Sequence, residues 1–174
     1  MEYKNKKDIG SLVQAMIAYD QGDPGRVQHF MKVYAFAKAI GEQEGLPERT
    51  QQILEAAAVV HDIGIRLSEE KYHASSGRYQ ELEGPPEAKK LLEGLGYDAE
   101  FIRRVCFLVG HHHTYHQIDG PDYQILVEAD FLVNIYEEQM TPKQIETICD
   151  TCFATKTGKS FLECMFLHDA TKKQ

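Results

Sequence analysis

Long hydrophobic runs, an excess of basic residues and a closely spaced cysteine framework are all missing from this 174-residue chain. Without an apolar stretch of bilayer length, no membrane partner is expected. With 19 Lys and Arg against 27 Asp and Glu, the formal net charge is −8. That balance argues against a nucleic-acid polymer as partner, because neutralising phosphates takes clustered cations. It leaves room for a small phosphorylated substrate, whose charge a metal ion can meet locally. The four cysteines, Cys106, Cys149, Cys152 and Cys164, are scattered, and do not outline the loop-rich scaffold of a small secreted domain. Met1 to Gly10 is polar and Lys-rich rather than a secretory apolar segment. The expectation is a cytoplasmic protein with reduced thiols. Strand-like alternation, internal repeats, low-complexity linkers and tryptophan are absent too.

What remains is ordinary globular material, 43% hydrophobic and 26% charged. It is enough for a sizeable core in one domain spanning 1–174. Nearly every segment scans as helix. Asp8 to about Tyr19 forms a first amphipathic stretch, ended by the turn around Pro24. A second runs from Gly25 to about Gly45 with a wide apolar arc that includes Phe30, Val33, Ala37 and Ile40. Pro47 opens a third through the Ala56–Val60 run, and Gly64 supplies its stop. Ser68 to Gly84 reads as a polar loop region, and Pro85-Pro86 as the start of a short helix through Leu92. Asp98 caps a helix from Ala99 to about His112. Asp122 to Glu138 is a long helix, and further helices at 141–168 pack on a core of about 25–138. The fold class is all-α, a single-domain helical bundle.

Several groups that are costly to bury stand inside these apolar patterns. His29 shares a helical stripe with Val33, Phe36 and Ile40; His61 shares one with Leu54 and Ala58. Asp62 follows His61 where the third helix runs out. Asp130 lies in Ile125–Tyr136, which holds only Glu128, Asp130 and Asn134 among nine apolar residues and offers no Lys or Arg as partner. If the preceding helix continues through the histidine run, His112 falls on its apolar side, His113 at the edge and His111 toward solvent. Each residue taken alone has a bland account, as a hydrogen-bonded core histidine or an interhelical ion pair. Together, two imidazoles and two carboxylates on three apolar segments suggest one shared partner, and a metal ion in the bundle is the simplest.

The strings Arg26-Val27-Gln28-His29, Ala58-Val59-Val60-His61-Asp62-Ile63-Gly64 and Val127-Glu128-Ala129-Asp130 resemble, in order and spacing, the HD-domain superfamily of metal-dependent phosphohydrolases. The likeness covers about Gly25 to Tyr136. It implies that His29, His61, Asp62 and Asp130 coordinate a divalent metal, with Mn, Fe, Co, Ni, Zn or Mg as the candidates; mixed imidazole and carboxylate ligands disfavour Ca. One ion is expected, with room for a second. Members with two ions add ligands in the zone of His112 and His113, and often a histidine where this chain reads Glu81-Leu82-Glu83-Gly84, so Glu83 is a candidate oxygen ligand. Many members carry a Lys soon after the His-Asp string; here Ile65-Arg66 follows.

The resemblance implies hydrolysis of a phosphomonoester or phosphoanhydride, often of a nucleotide, by a metal-activated water. Asp62 and His112 are then the catalytic acid/base candidates and Arg66 and His113 the substrate-binding ones, with Arg26 and Lys71 as further phosphate grips. The alternative is a catalytically idle HD fold that binds metal or nucleotide as a sensor or interaction module. Self-association into a homo-oligomer stays open. Two other signals are set aside. Thr157-Gly158-Lys159-Ser160 lacks the upstream glycine and strand of a phosphate-binding loop. Cys149-x-x-Cys152, with Cys164 and His168, lies in helical pattern rather than in a zinc knuckle.

Overall fold

A computed structural model describes residues 8–168, and the Lys-rich Met1–Lys7 segment lies outside it. Nine α-helices and one π-helical turn make up the described residues, and none of those helices is long and apolar enough to cross a membrane. They are α1 Ile9–Tyr19, α2 Pro24–Gln43, α3 Glu48–Val60, α4 Gly64–Tyr72, α5 Gly77–Gly94, α6 Ala99–Val109, α7 Pro121–Glu137, α8 Pro142–Cys152 and α9 Lys156–Leu162, with the π-helical turn at Glu163–Leu167.

Local chemistry explains where most of them begin. Asp8, Asp23 and Asp98 each accept a hydrogen bond from the backbone N–H three residues on, at 2.8, 3.0 and 3.0 Å, satisfying donors that a helix start leaves open. Pro24, Pro121 and Pro142 occupy first-turn positions where no N–H is needed. Thr141 and Gln144 form a reciprocal capping box.

The core is centred on α3, whose residues from Ile53 to Val60 are all buried, Glu55 included. Helix α2 lies against α3 and α7, α6 covers another side of α3, and α1 closes the end. The Ala56-Ala57-Ala58 run keeps the surface of α3 low, so that neighbours on several sides approach it closely. The consequence for the site is that the end of α3, carrying His61 and Asp62, stands in the middle of the bundle.

Three segments depart from the sequence expectation. Gly64 does not stop α3, which ends at Val60; it opens α4. A Cβ there would stand 2.5 Å from the Gln80 carbonyl oxygen and 2.7 Å from the Gly84 nitrogen, so glycine is required by the crossing of two backbones. The region 68–84 is not a loop. Helix α4 runs on to Tyr72, His73 takes a left-handed conformation at φ 54°, and α5 begins at Gly77 and continues through Pro85 and Pro86. Its exposed polar face and paired prolines hide it from a reading based on apolar periodicity. Finally, α6 ends at Val109, and His111–His113 form the turn that follows.

Candidate metal centre

Three imidazoles are fixed in one tautomer by acceptors on their outer side. His61 Nδ1 donates to the Ala58 carbonyl at 2.8 Å, and His112 Nδ1 to the Val109 carbonyl at 2.8 Å. His29 Nδ1 donates to Glu137 Oε2 at 2.8 Å, and Glu137 Oε1 in turn receives the Lys32 ammonium at 2.6 Å. A carbonyl or carboxylate oxygen can only accept, so each Nδ1 carries the proton and each neutral ring presents a bare lone pair at Nε2.

Those lone pairs converge. His29 and His61 Nε2 stand 3.2 Å apart. Asp62 Oδ2 is 3.3 Å from both, and Asp130 Oδ1 lies 3.3 Å from His29 and 3.5 Å from His61. Asp62 turns its other oxygen, Oδ1, to His112 Nε2 at 3.5 Å, and that buried nitrogen has no hydrogen-bond partner. Asn134 donates to Asp130 Oδ1 at 3.0 Å. Two lone pairs facing each other at hydrogen-bond distance repel unless a proton or a metal ion lies between them. Ligand atoms about 2.1 Å from a common ion stand about 3.0–3.4 Å apart, which is the spacing of this cluster. The donor set therefore fits a divalent ion. The outer-side acceptors are the partners that metal-binding histidines require.

Electrostatics give the same picture. Burial alone would raise the carboxyls of Asp62 and Asp130, yet the adjacent imidazoles hold both well below the usual carboxylate range. Burial would lower His29 and His61, but the two carboxylates lift both, His61 strongly. Without an ion the carboxylates thus draw protons onto the imidazoles, and a bound cation would supply that positive charge in their place.

A second group of candidate ligands consists of Asp62, His112 and His113. The turn bearing the histidines is tied from two sides: Tyr123 donates its hydroxyl to the carbonyls of His111 and Thr114, and Glu81 accepts from His113 N at 3.0 Å. His113 Nε2 pairs with the Gln80 side-chain oxygen at 2.9 Å. Burial, followed by the neighbouring His112, brings His113 down to about 4, so it is neutral at pH 7. His111 turns away, stacking on Phe107 and donating to its carbonyl.

The cluster opens into a cavity of about 340 Å³. His29, Asp62, His113, Asp130 and Arg26 line it, and Arg66 does not. Arg66 donates instead to the Tyr19 carbonyl at 2.9 Å and to Glu70 at 3.2 Å. Lys71 and Tyr72 are bonded to Glu83 at 2.6 and 2.7 Å, so Glu83 is engaged between α4 and α5 and belongs to neither ligand group. Sequence reasoning missed Glu137, Gln80 and Asp20. Glu137 was within reach of it, since Asp130, Asn134 and Glu137 form one stripe of α7. Gln80 and Asp20 carry no such signal. The cysteines remain free and contribute to no candidate metal group among the described residues.

The HD domain family model matches residues 26–151, and the chain belongs to that family. Among solved structures, it is similar to a predicted HD superfamily hydrolase from an uncultured Thermotogales bacterium. The TM-score is 0.64 at 22% identity, over 89% of this chain and 83% of that one, a likeness of fold. No curated protein matches the sequence.

Proposed function

We propose that this chain is a metal-dependent hydrolase of a phosphomonoester or phosphoanhydride carried by a small molecule such as a nucleotide. The observation that carries the reading is the meeting of three tautomer-fixed imidazoles and two carboxylates at a cavity open to solvent. His29, His61, Asp62 and Asp130 would hold the ion. Bound there, it supplies a Lewis acid for a phosphoryl oxygen and draws the pKa of water toward roughly 7.

The remaining work falls to the side chains. With Oδ2 turned to His29 and His61, Asp62 keeps Oδ1 on the His112 side, where it can orient the attacking water. The unpartnered Nε2 of His112 can take a proton from that water. As the water oxygen bonds to phosphorus and the old P–O bond breaks, the protonated ring can return the proton to the leaving oxygen. Arg26 lines the cavity and could grip phosphoryl oxygens with its planar fork on leaving Glu69 and Asp23. Arg66 would have to leave Tyr19 and Glu70 to do the same.

The test is metal analysis of the purified protein, followed by phosphate release from a panel of nucleotides and phosphomonoesters with Mn, Fe, Co, Ni, Zn or Mg. Bound divalent metal and metal-dependent turnover are expected. Metal retained without turnover on any substrate would favour the idle binder, and full activity in Asp62→Ala would exclude the mechanism.

A further inference from the structure

The cavity next to the ligand cluster has an unusual charge inventory. Five carboxyl groups line it, those of Asp20, Asp62, Asp130, Glu137 and Glu138, against one cationic side chain, Arg26. Asp62 and Asp130 face the imidazoles, and Glu137 is held by His29 and Lys32. Arg26 is already bonded to Glu69 at 2.6 Å and to Asp23 at 3.2 Å. Asp20 differs from all of these. It ends α1, ahead of the residues that the family model matches, and is only 8% exposed. Its charged neighbours act on it through space, and no hydrogen bond reaches its carboxyl among the described residues. Its oxygens are not among the fully enclosed polar atoms that lack a partner, so they are reached from the cavity that Asp20 lines. The energetic mark of its isolation is that burial, only partly offset by Arg26, pushes it up to about 6.

Resting on the hydrolase reading above, we propose that Asp20 is a specificity residue that hydrogen-bonds a hydroxyl of the substrate's organic part, and that the substrate is a single-phosphoryl ester of a hydroxylated molecule, a sugar or nucleoside monophosphate. One phosphoryl group can be met by the ion, and by Arg26 once it leaves Glu69 and Asp23. A second or third would face Asp20 and Glu138 with no further cation on the lining to match it. Hydroxyl groups, by contrast, suit this wall, since Asp20 accepts from them when ionised.

The experiment uses the metal-loaded full chain with ribose 5-phosphate, adenosine 5′-monophosphate, adenosine 5′-triphosphate and the hydroxyl-free p-nitrophenyl phosphate. Wild-type kcat/KM should favour the monophosphates over the triphosphate by about tenfold or more. Asp20→Ala should cut the ratio of kcat/KM for a hydroxylated monophosphate to that for p-nitrophenyl phosphate by roughly 10–100-fold, the scale of a lost hydrogen bond to a charged group. Asp20→Asn, which keeps the shape, should cut it less. Which of the two monophosphates shows the larger change distinguishes sugar from nucleoside as the source. Calorimetric binding of adenosine 5′-monophosphate and ribose 5-phosphate to wild type and to Asp20→Ala gives a readout that needs no turnover. A ratio unchanged by Asp20→Ala, or a triphosphate used as well as the monophosphates, overturns the proposal and leaves the hydrolase reading intact. Asp20-dependent binding without hydrolysis of any substrate upholds the ligand class and defeats the hydrolase reading.

Discussion

Glu128 and Asp130 lie two positions apart on α7, both buried, and their surroundings could hardly differ more. Glu128 points to the corner where α8 gives way to α9. It accepts from Gln124 Nε2 at 2.8 Å, Ala154 N at 2.7 Å and Thr155 N at 2.8 Å, and also from the Thr155 hydroxyl. At about 100° per residue, two positions on a helix are turned about 200° from one another, so Asp130 faces away from Glu128 and looks into the bundle. There it meets two imidazole nitrogens with lone pairs and a single amide donor. A buried carboxylate surrounded by protein donors is a structural tie. One surrounded by lone pairs is half of a site whose other half comes from outside the chain. Burial and residue type are shared; the sign of what faces the oxygens separates them.

The sharpest way to break this comparison is to delete each carboxylate in turn. Asp130→Ala should lose bound metal, measured as metal per folded protein, and lower phosphate release by about 10³-fold or more while keeping helical circular dichroism. Glu128→Ala should do the opposite, keeping metal but losing about 3 kcal/mol in urea unfolding, because it strands two backbone N–H groups and a hydroxyl. Next comes Gly158→Ala. A Cβ at this position would stand 1.9 Å from Glu128 Oε2, so the tie must break or shift, at about 1–3 kcal/mol of unfolding free energy. The glycine of the Thr-Gly-Lys-Ser string is thus there to admit Glu128, not a phosphate. Glu137→Ala leaves every ligand in place but frees His29 Nδ1; calorimetry should show about 10–100-fold weaker metal binding with little change in stability.

The smallest effect belongs to Asp20, a buried carboxyl with neither donors nor imidazoles. Because its folded-state pKa, about 6, lies above the unfolded value, the unfolded chain releases this proton first. The stability difference between wild type and Asp20→Asn should therefore shift against wild type as pH rises from about 4 to 6, then level off. The expected change is on the order of 1 kcal/mol after allowance for solvent in the cavity, read by thermal unfolding across that window.

The sequence already displayed the parts of this molecule that depend on apolar periodicity. Helices α2, α3 and α7 appear as wide apolar arcs, and polar residues inside such arcs stand out, which is why His29, His61, Asp62 and Asp130 could be picked out and prove to lie together. Helices α4 and start of α5 were hidden because their polar faces are solvated and Pro85-Pro86 sits within a helix rather than at its start. The direction of Arg66 was hidden for another reason. A long, exposed side chain takes its orientation from whichever partner is near, here the end of α1 and Glu70, and nothing in local sequence records that. Asp20 was invisible because it is marked only by burial and by the hydrogen-bond partners it lacks among the described residues, which local sequence does not record.

His61 and His112 each lean on a carbonyl three residues back, at the point where a helix has just ended. The last carbonyls of a helix have no partner of their own, so each of these rings is aimed by a group that folding leaves over anyway. His29 stands mid-helix, where the carbonyls are already used, and must borrow Glu137 from α7. Two of the three imidazoles are therefore aligned by their own secondary structure, before any long-range contact forms. Loading of metal should accordingly proceed as a simple bimolecular capture, with no slow rearrangement trailing the binding step, and the loosest joint in the assembly should be the one ring that relies on a distant chain segment.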